Sequence, residues 1–140
     1  MSQALEQKRA KYALDAVTKA KENDGEKKGE GYGRHVRKLP AMILNNGLGQ
    51  ALAFLLADAE GKKEKASWRL YEDLQTWLYG ADDEDKPRRV YPAQDGLQSP
   101  LIDSLMSNDR SQYLQAQDEA LKLLVWMKKF ADAYLPKSGG

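Results

Sequence analysis

Residues 37–57 read RKLPAMILNNGLGQALAFLLA, and this stretch decides between two kinds of fold. Apolar residues that run into two nearby glycines occur where a strand enters a phosphate-binding loop, and also at an elbow between two helices. A dinucleotide-binding loop would need a third glycine, where this chain has Leu52. A P-loop would need a lysine followed by serine or threonine, where the chain has Gln50 and Ala51. The stretch therefore predicts a helical elbow and argues against a nucleotide site.

The residues around the elbow set the boundaries of two helices. Gly47 is placed as the C-terminal cap of the first helix, and Leu48 begins the second. Gly49 is expected where two helix backbones approach closely. The second helix is apolar almost all round, which predicts a position at the centre of the domain.

The rest of the chain carries apolar residues at helical spacing and almost no strand pattern. We predict an all-α fold, a compact single-domain bundle of about six helices over residues 1–140, with flexible loops near 24–33 and 81–99. Helices are expected near residues 2–23, 34–45, 48–59, 66–79, 100–107 and 110–135.

Composition excludes several classes of protein. There is no cysteine among the 140 residues, which rules out disulfides and zinc sites built on thiolates. No segment approaches the roughly 20 apolar residues that span a bilayer. These features predict a soluble, cytoplasmic protein.

The net charge of +1 conceals an uneven distribution. Residues 1–70 hold 14 basic and 9 acidic side chains, whereas residues 71–140 hold 8 basic and 12 acidic ones. This asymmetry fits a basic face for nucleic acid and an acidic face for a basic neighbour, but an unevenly charged solvated surface fits it equally well.

Catalytic and metal-binding patterns are absent from the sequence. His35 is the only histidine, and a lone histidine in a basic stretch is interpreted as a polar surface residue. The acidic run 82–85 lacks the spaced oxygen ligands of a calcium loop. We therefore predict no active site, no metal and no cofactor.

Basic residues grouped in the first half of the chain are the remaining candidates for function. Lysine and arginine on a rigid helical surface contact phosphates without reading base sequence. The candidate RNA-binding residues are Lys8, Arg9, Lys11, Arg34, Arg37, Lys38, Lys62, Lys63 and Arg69. Arg9 falls inside an apolar helical stripe, which suits a buried ion pair as well as an RNA contact.

Two motifs carry a resemblance to a known family. LEQKRAKYAL at residues 5–14, together with the stretch at 37–57, resembles the small all-helical subunit of the type III-B CRISPR effector, the fifth protein of the Cmr RAMP module. The resemblance implies a helical bundle without enzymatic activity, stacked as a short filament. It also implies partners: an RNA-cleaving backbone subunit, a large polymerase-like or cyclase-like subunit, and guide and target RNA held through backbone contacts.

Two other functions remain open. The chain could be a protein-interaction adaptor without RNA contact, whose associations would survive nuclease and high salt. It could also be a small enzyme, in which case mutation of His35 or of the acidic run 82–85 would abolish turnover.

Overall fold

The computed structural model describes residues 2–82, 89–91, 100–107 and 109–137, and within these ranges it contains helices and no strand. The helices are α1 (Ser2–Glu22), α2 (Glu30–Asn46), α3 (Leu48–Ala59), α4 (Ala66–Tyr79), α5 (Leu101–Ser107) and α6 (Arg110–Tyr134). One turn of 3₁₀ helix, Gly25–Lys27, follows α1. The predicted all-α class and six-helix architecture are confirmed.

The two longest helices, α1 and α6, pack antiparallel. Arg9 of α1 meets Glu119 of α6, while Glu6, earlier on α1, accepts a hydrogen bond from Trp126, later on α6. Helix α2 packs against α6, α3 and α4, and α5 packs against α3. The core between these helices is aliphatic and aromatic, with Val17, Leu39, Leu52, Leu74 and Leu124 fully or almost fully buried. Each such leucine contributes about 2 kcal/mol through removal of apolar surface from water.

Most predicted helix boundaries agree with the structure, and the start of α2 is the main exception. The helix begins at Glu30, four residues before the predicted start, so the predicted loop over 24–33 is wrong for its last four residues. Tyr32 and Gly33 are buried in that first turn, and Tyr32 donates a hydrogen bond to Asp73. Four glycines, at positions 25, 29, 31 and 33, make a helix start here improbable from the sequence. Burial of Tyr32 stabilises the helix at this point. Most of the predicted loop 81–99 lies outside the described residues.

Helix α3 is not central in the way its composition predicted. One side of it packs against α2 and α4, but Ala53, Phe54 and Ala57 lie on its exposed side. The phenyl side chain of Phe54 remains 43% exposed. No packing among the described residues explains the apolar character of that outer face.

The elbow predicted from the opening stretch is present. Gly47 adopts φ +90°, and its N–H donates to the Ile43 carbonyl at 2.7 Å. Gly49 is crowded by side chains and not by a second helix backbone: a Cβ there would lie 3.2 Å from both Tyr113 Oη and Met106 Cε. A larger residue would therefore press on side chains of α6 and α5, and the predicted backbone approach is corrected.

None of the helices in the described part of the chain combines the length and apolar character needed to cross a membrane.

Candidate nucleic-acid interface

Arg9 forms a buried ion pair with Glu119. Its Nε and Nη2 atoms each donate to the Glu119 carboxylate at 2.7 Å, and only 8% of its side chain is exposed. Glu119 also accepts from Trp77 Nε1 at 2.8 Å, so its carboxylate binds three donors in the core. The guanidinium therefore holds α1, α4 and α6 together and faces protein on all sides.

Arg37 is also engaged within the protein. Its Nε donates to Asp132 at 2.8 Å, and its Nη2 donates to the carbonyl oxygens of Ala131 and Leu135 at 3.0 and 3.2 Å. These carbonyls lie at the C-terminal end of α6, which carries a partial negative charge, and that of Ala131 also accepts from the Leu135 N–H at 2.9 Å. Arg37 thus caps α6, and its hydrogen bond holds the pKa of Asp132 below its usual range.

Three other candidate residues lie elsewhere on the surface. Lys8 and Lys11 are exposed on α1, which packs mainly against α6. Arg69 lines a cavity of about 250 Å³ between α1, α2 and α4, beside Glu72 and Asp73. Because acidic groups neighbour Arg69, its charge is partly compensated. The structure does not bring these three residues together.

The remaining four candidates, which we call the basic corner, lie where α2 meets the loop between α3 and α4. Its members are Arg34, Lys38, Lys62 and Lys63, all exposed. Arg34 and Lys38 are one helical turn apart and share a face of α2. In the described part of the chain none of the four forms an ion pair.

Asp58 at the end of α3 connects the two parts of the basic corner. Its carboxylate lies 3.4 Å from His35 Nε2 of α2, and its carbonyl accepts a hydrogen bond from Lys65 Nζ at 3.0 Å. The loop that carries Lys62 and Lys63 is thereby held beside α2. Within this region the charged groups sum to +2, from Arg34, Lys38, Lys62, Lys63 and Lys65 against Asp58, Glu60 and Glu64.

His35 is buried, contrary to its interpretation as a surface residue. Burial lowers its pKa from the usual 6.5, and the neighbouring charges of Arg34 and Lys38 lower it further, against an opposing effect of Asp58. The imidazole is therefore neutral at pH 7. The charge of the basic corner does not depend on His35 titration near neutral pH.

Among the carboxylic acids in the described part of the chain, Asp73 has a strongly shifted pKa. Burial raises its pKa to about 6, although a hydrogen bond from Tyr32 Oη at 2.5 Å acts in the opposite direction. The backbone carbonyl of the same residue accepts a hydrogen bond from Tyr12 Oη. This cluster joins α1, α2 and α4.

No group of three or more metal-ligating side chains occurs in the described part of the chain. Asp83, Glu84 and Asp85 of the acidic run lie outside that part. Asp82 forms an ion pair with Arg89 at 2.8 Å, and Arg89 also donates to the Trp77 carbonyl, which connects this part of the chain to α4.

Two residues at this surface, Lys65 and Phe54, have positions that the sequence did not predict. Lys65 was not selected, yet it binds the Asp58 carbonyl beside the basic corner. Phe54 belongs to α3, whose composition predicted a central position, yet its side chain is exposed next to His35. A helix with apolar residues on every side gives no sequence signal for which of them will face solvent.

Comparison with known proteins identifies the family. The chain matches the sequence model of the family described as CRISPR-associated protein (Cas_Cmr5) over residues 5–134. The chain belongs to the Cas_Cmr5 family. It is also similar to the crystal structure of a CRISPR-associated Cmr5 family protein from Thermus thermophilus, with 29% sequence identity and a TM-score of 0.67. That similarity covers 94% of this chain and 97% of the Thermus chain.

The resemblance inferred from the two sequence motifs is thus confirmed. As a Cas_Cmr5 family member, the chain is a small subunit of the type III-B CRISPR Cmr complex.

Proposed function

We propose that this subunit is non-catalytic and helps to hold guide or target RNA in the Cmr complex through sequence-independent contacts between the basic corner and the RNA backbone. The observation that carries the proposal is the set of four exposed cations, Arg34, Lys38, Lys62 and Lys63, that no described acid pairs. Base pairing within the complex would supply sequence specificity.

The proposed contacts are few, and their strength depends on salt. A protein that neutralises Z phosphates of a single strand loses affinity with a slope of about −0.7Z against the logarithm of salt concentration. Four contacts correspond to a slope of about −3. Because the net charge of the chain is only +1, binding by the isolated subunit is expected to be weak and salt-sensitive.

The experiment compares complexes assembled with variant subunits. Lys38→Glu combined with Lys62→Glu is expected to weaken retention of target RNA and to reduce the magnitude of the salt slope by about 1.4 relative to wild type. Lys128→Glu on α6 is a control at an exposed lysine outside the basic corner. Equal RNA retention by all three complexes would overturn the proposal.

The same comparison separates the basic corner from α1. Lys11→Glu tests the α1 lysines that the sequence also indicated. If Lys11→Glu reduced retention and the Lys38→Glu, Lys62→Glu variant did not, the RNA surface would lie on α1.

We further propose that an aliphatic strip on α2 and α6 contacts neighbouring protein subunits. The strip consists of Leu44, Leu114 and Val125, which are 70%, 45% and 54% exposed. Leu44 lies on α2 between Arg37 and Gly47, and both flanking residues approach α6. These three exposed aliphatic side chains lie on two helices that pack against each other, and we propose them as part of one protein interface.

The proposed neighbours are the RNA-cleaving backbone subunit, the large polymerase-like or cyclase-like subunit, and further copies of this chain in a short filament. Leu44→Asp with Val125→Asp should reduce recovery of these subunits with a tagged copy, in the presence of nuclease. Normal recovery by the variant would contradict the role of the strip.

The adaptor alternative makes a different prediction for the same purification. An adaptor without RNA contact would recover its partners at high salt and would not protect RNA from nuclease. An enzyme would show turnover by the isolated chain, and we expect none.

A further inference from the structure

Phe54 has an exposed aromatic ring on the outer side of α3. Its side chain is 43% exposed, and the exposed residues beside it on α3 include Ala53 and Ala57. The two alanine side chains end at Cβ and leave the ring open on their side, while Gln50 and Asp58, about one turn before and after Phe54, are also exposed. An exposed ring of this size keeps a large apolar area in water, which costs free energy unless another molecule covers it.

One edge of the ring is held in place by α2. The His35 and Phe54 ring centroids lie 6.1 Å apart at an interplanar angle of 63°, an edge-to-face contact. His35 itself is buried and lies 3.4 Å from the Asp58 carboxylate. The ring of Phe54 therefore packs against a fixed neighbour on one side and is open to solvent on the other.

Two cations without a described ion pair lie near His35, the residue that contacts this ring. Arg34 is adjacent to His35 in sequence and Lys38 follows His35 by three residues on α2, and both charges act on the pKa of His35. Neither forms an ion pair in the described part of the chain. An exposed aromatic ring beside unpaired cations is the arrangement by which proteins bind single-stranded nucleic acid, with a base stacked on the ring and phosphates near the cations.

We propose that Phe54 is a stacking site for an unpaired base of single-stranded RNA, whose flanking phosphates contact Arg34 and Lys38. This inference rests on the proposed function of the basic corner and specifies its ligand, because a base in a duplex does not expose its face to a side chain. Every base has such a face, so the site is tolerant of sequence.

A protein side chain is the competing occupant of this surface. It would have to cover Phe54 while removing Arg34 and Lys38 from water, and burial of unpaired cations is costly. Phosphates offer both cations a partner, which favours RNA.

The experiment measures equilibrium binding of the full chain to three fluorescent ligands at low salt. They are a short single-stranded oligoadenylate, an abasic ribose-phosphate strand of the same length, and a duplex of the same length. The wild-type chain is expected to prefer oligoadenylate over the abasic strand by about fivefold or more, since stacking of one base on an aromatic side chain contributes at least this factor. It should show no such preference for the duplex.

The variants separate stacking from charge. Phe54→Leu should remove the preference for bases and leave affinity for the abasic strand unchanged, while Phe54→Tyr should retain the preference. Lys38→Glu should weaken binding to all three ligands, because it removes a phosphate contact.

Each other result overturns a defined part of the proposal. Equal wild-type affinity for oligoadenylate and the abasic strand, or a preference that survives Phe54→Leu, overturns stacking and leaves the basic corner intact. Unchanged binding by Lys38→Glu, with a preference that depends on Phe54, contradicts the basic corner alone. If Phe54→Leu changes no RNA affinity but reduces incorporation into the Cmr complex, Phe54 contacts protein, and the stacking proposal is wrong. Absence of binding to any ligand overturns both proposals.

Discussion

Arg9 and Glu119 bind one another through two hydrogen bonds of 2.7 Å, although they are 110 residues apart in sequence. The pair is buried, and Glu119 also accepts the indole N–H of Trp77. One carboxylate thus connects the first, fourth and sixth helices. Removal of one partner would leave a charge in the core without compensation.

We predict that Arg9→Met destabilises the fold by about 3 kcal/mol or more, the cost of breaking a buried ion pair on one side. The double variant Arg9→Met with Glu119→Gln should be more stable than Arg9→Met alone, because a neutral amide replaces the unpaired carboxylate and still accepts from Trp77. Urea unfolding of both variants measures the difference.

Lys122→Met, which breaks an exposed pair with Asp118, is the control and should change stability by about 0.5 kcal/mol or less. If the double variant were no more stable than Arg9→Met, the carboxylate would not be the source of the cost.

Arg37→Ala and Lys38→Ala should differ in stability, although the residues are adjacent. Arg37→Ala removes three hydrogen bonds to the end of α6, and we expect a loss of about 1–2 kcal/mol in the free energy of unfolding. Lys38 is exposed and forms no ion pair with a described residue, so its removal should cost about 0.5 kcal/mol or less. Urea unfolding midpoints with unchanged slopes would measure both values. Similar losses from the two variants would show that Arg37 does not cap α6.

The sequence predicts helix ends well, because the signals for them are local. The predicted end of α2 at Gly47, the end of the helix at 66–79 and the start of the helix at 110 agree with the structure, where Gly80 follows α4 and Asp109 caps α6 by accepting from the Gln112 N–H. These signals act within one helical turn.

The roles of individual cations depend on partners that are distant in sequence. Nothing near Arg37 indicates that Asp132 will lie 2.8 Å away, and nothing near Lys38 indicates that no described acid will pair with it. The sequence could therefore locate a basic group of residues but could not separate those that stabilise the fold from those that are exposed. The exposure of Phe54 was missed for the same reason, because it depends on which side of α3 meets α2 and α4.

Asp73 predicts a specific dependence of stability on pH. Its pKa is raised to about 6 in the folded state, mainly by burial, so between about pH 4 and 6 the folded chain binds more protons at this group than the unfolded chain does. Stability contributed by this group is therefore lost as pH rises through that interval, by an amount on the order of 2–3 kcal/mol.

Asp73→Asn isolates this effect, since an asparagine oxygen still accepts from Tyr32 and does not titrate. The free energy of unfolding of the wild type, minus that of Asp73→Asn, should fall between pH 4 and pH 6.5 as measured by urea unfolding at each pH. A constant difference across this range would show that burial does not raise the pKa of Asp73.

The elbow between α2 and α3 depends on two side chains of α6. Tyr113 Oη accepts from the Gly49 N–H at 2.8 Å and Gln117 Oε1 accepts from the Leu48 N–H at 2.9 Å, so α6 supplies partners for N–H groups that begin α3 and have no helical acceptor. Tyr113→Phe removes the first acceptor from a buried glycine and should cost about 1–2 kcal/mol, with faster amide exchange at Gly49. Tyr134→Phe, at a tyrosine that is 51% exposed, is the matched control and should change neither quantity. If amide exchange at Gly49 were as slow in Tyr113→Phe as in the wild type, packing of the aromatic ring alone would hold the elbow against α6.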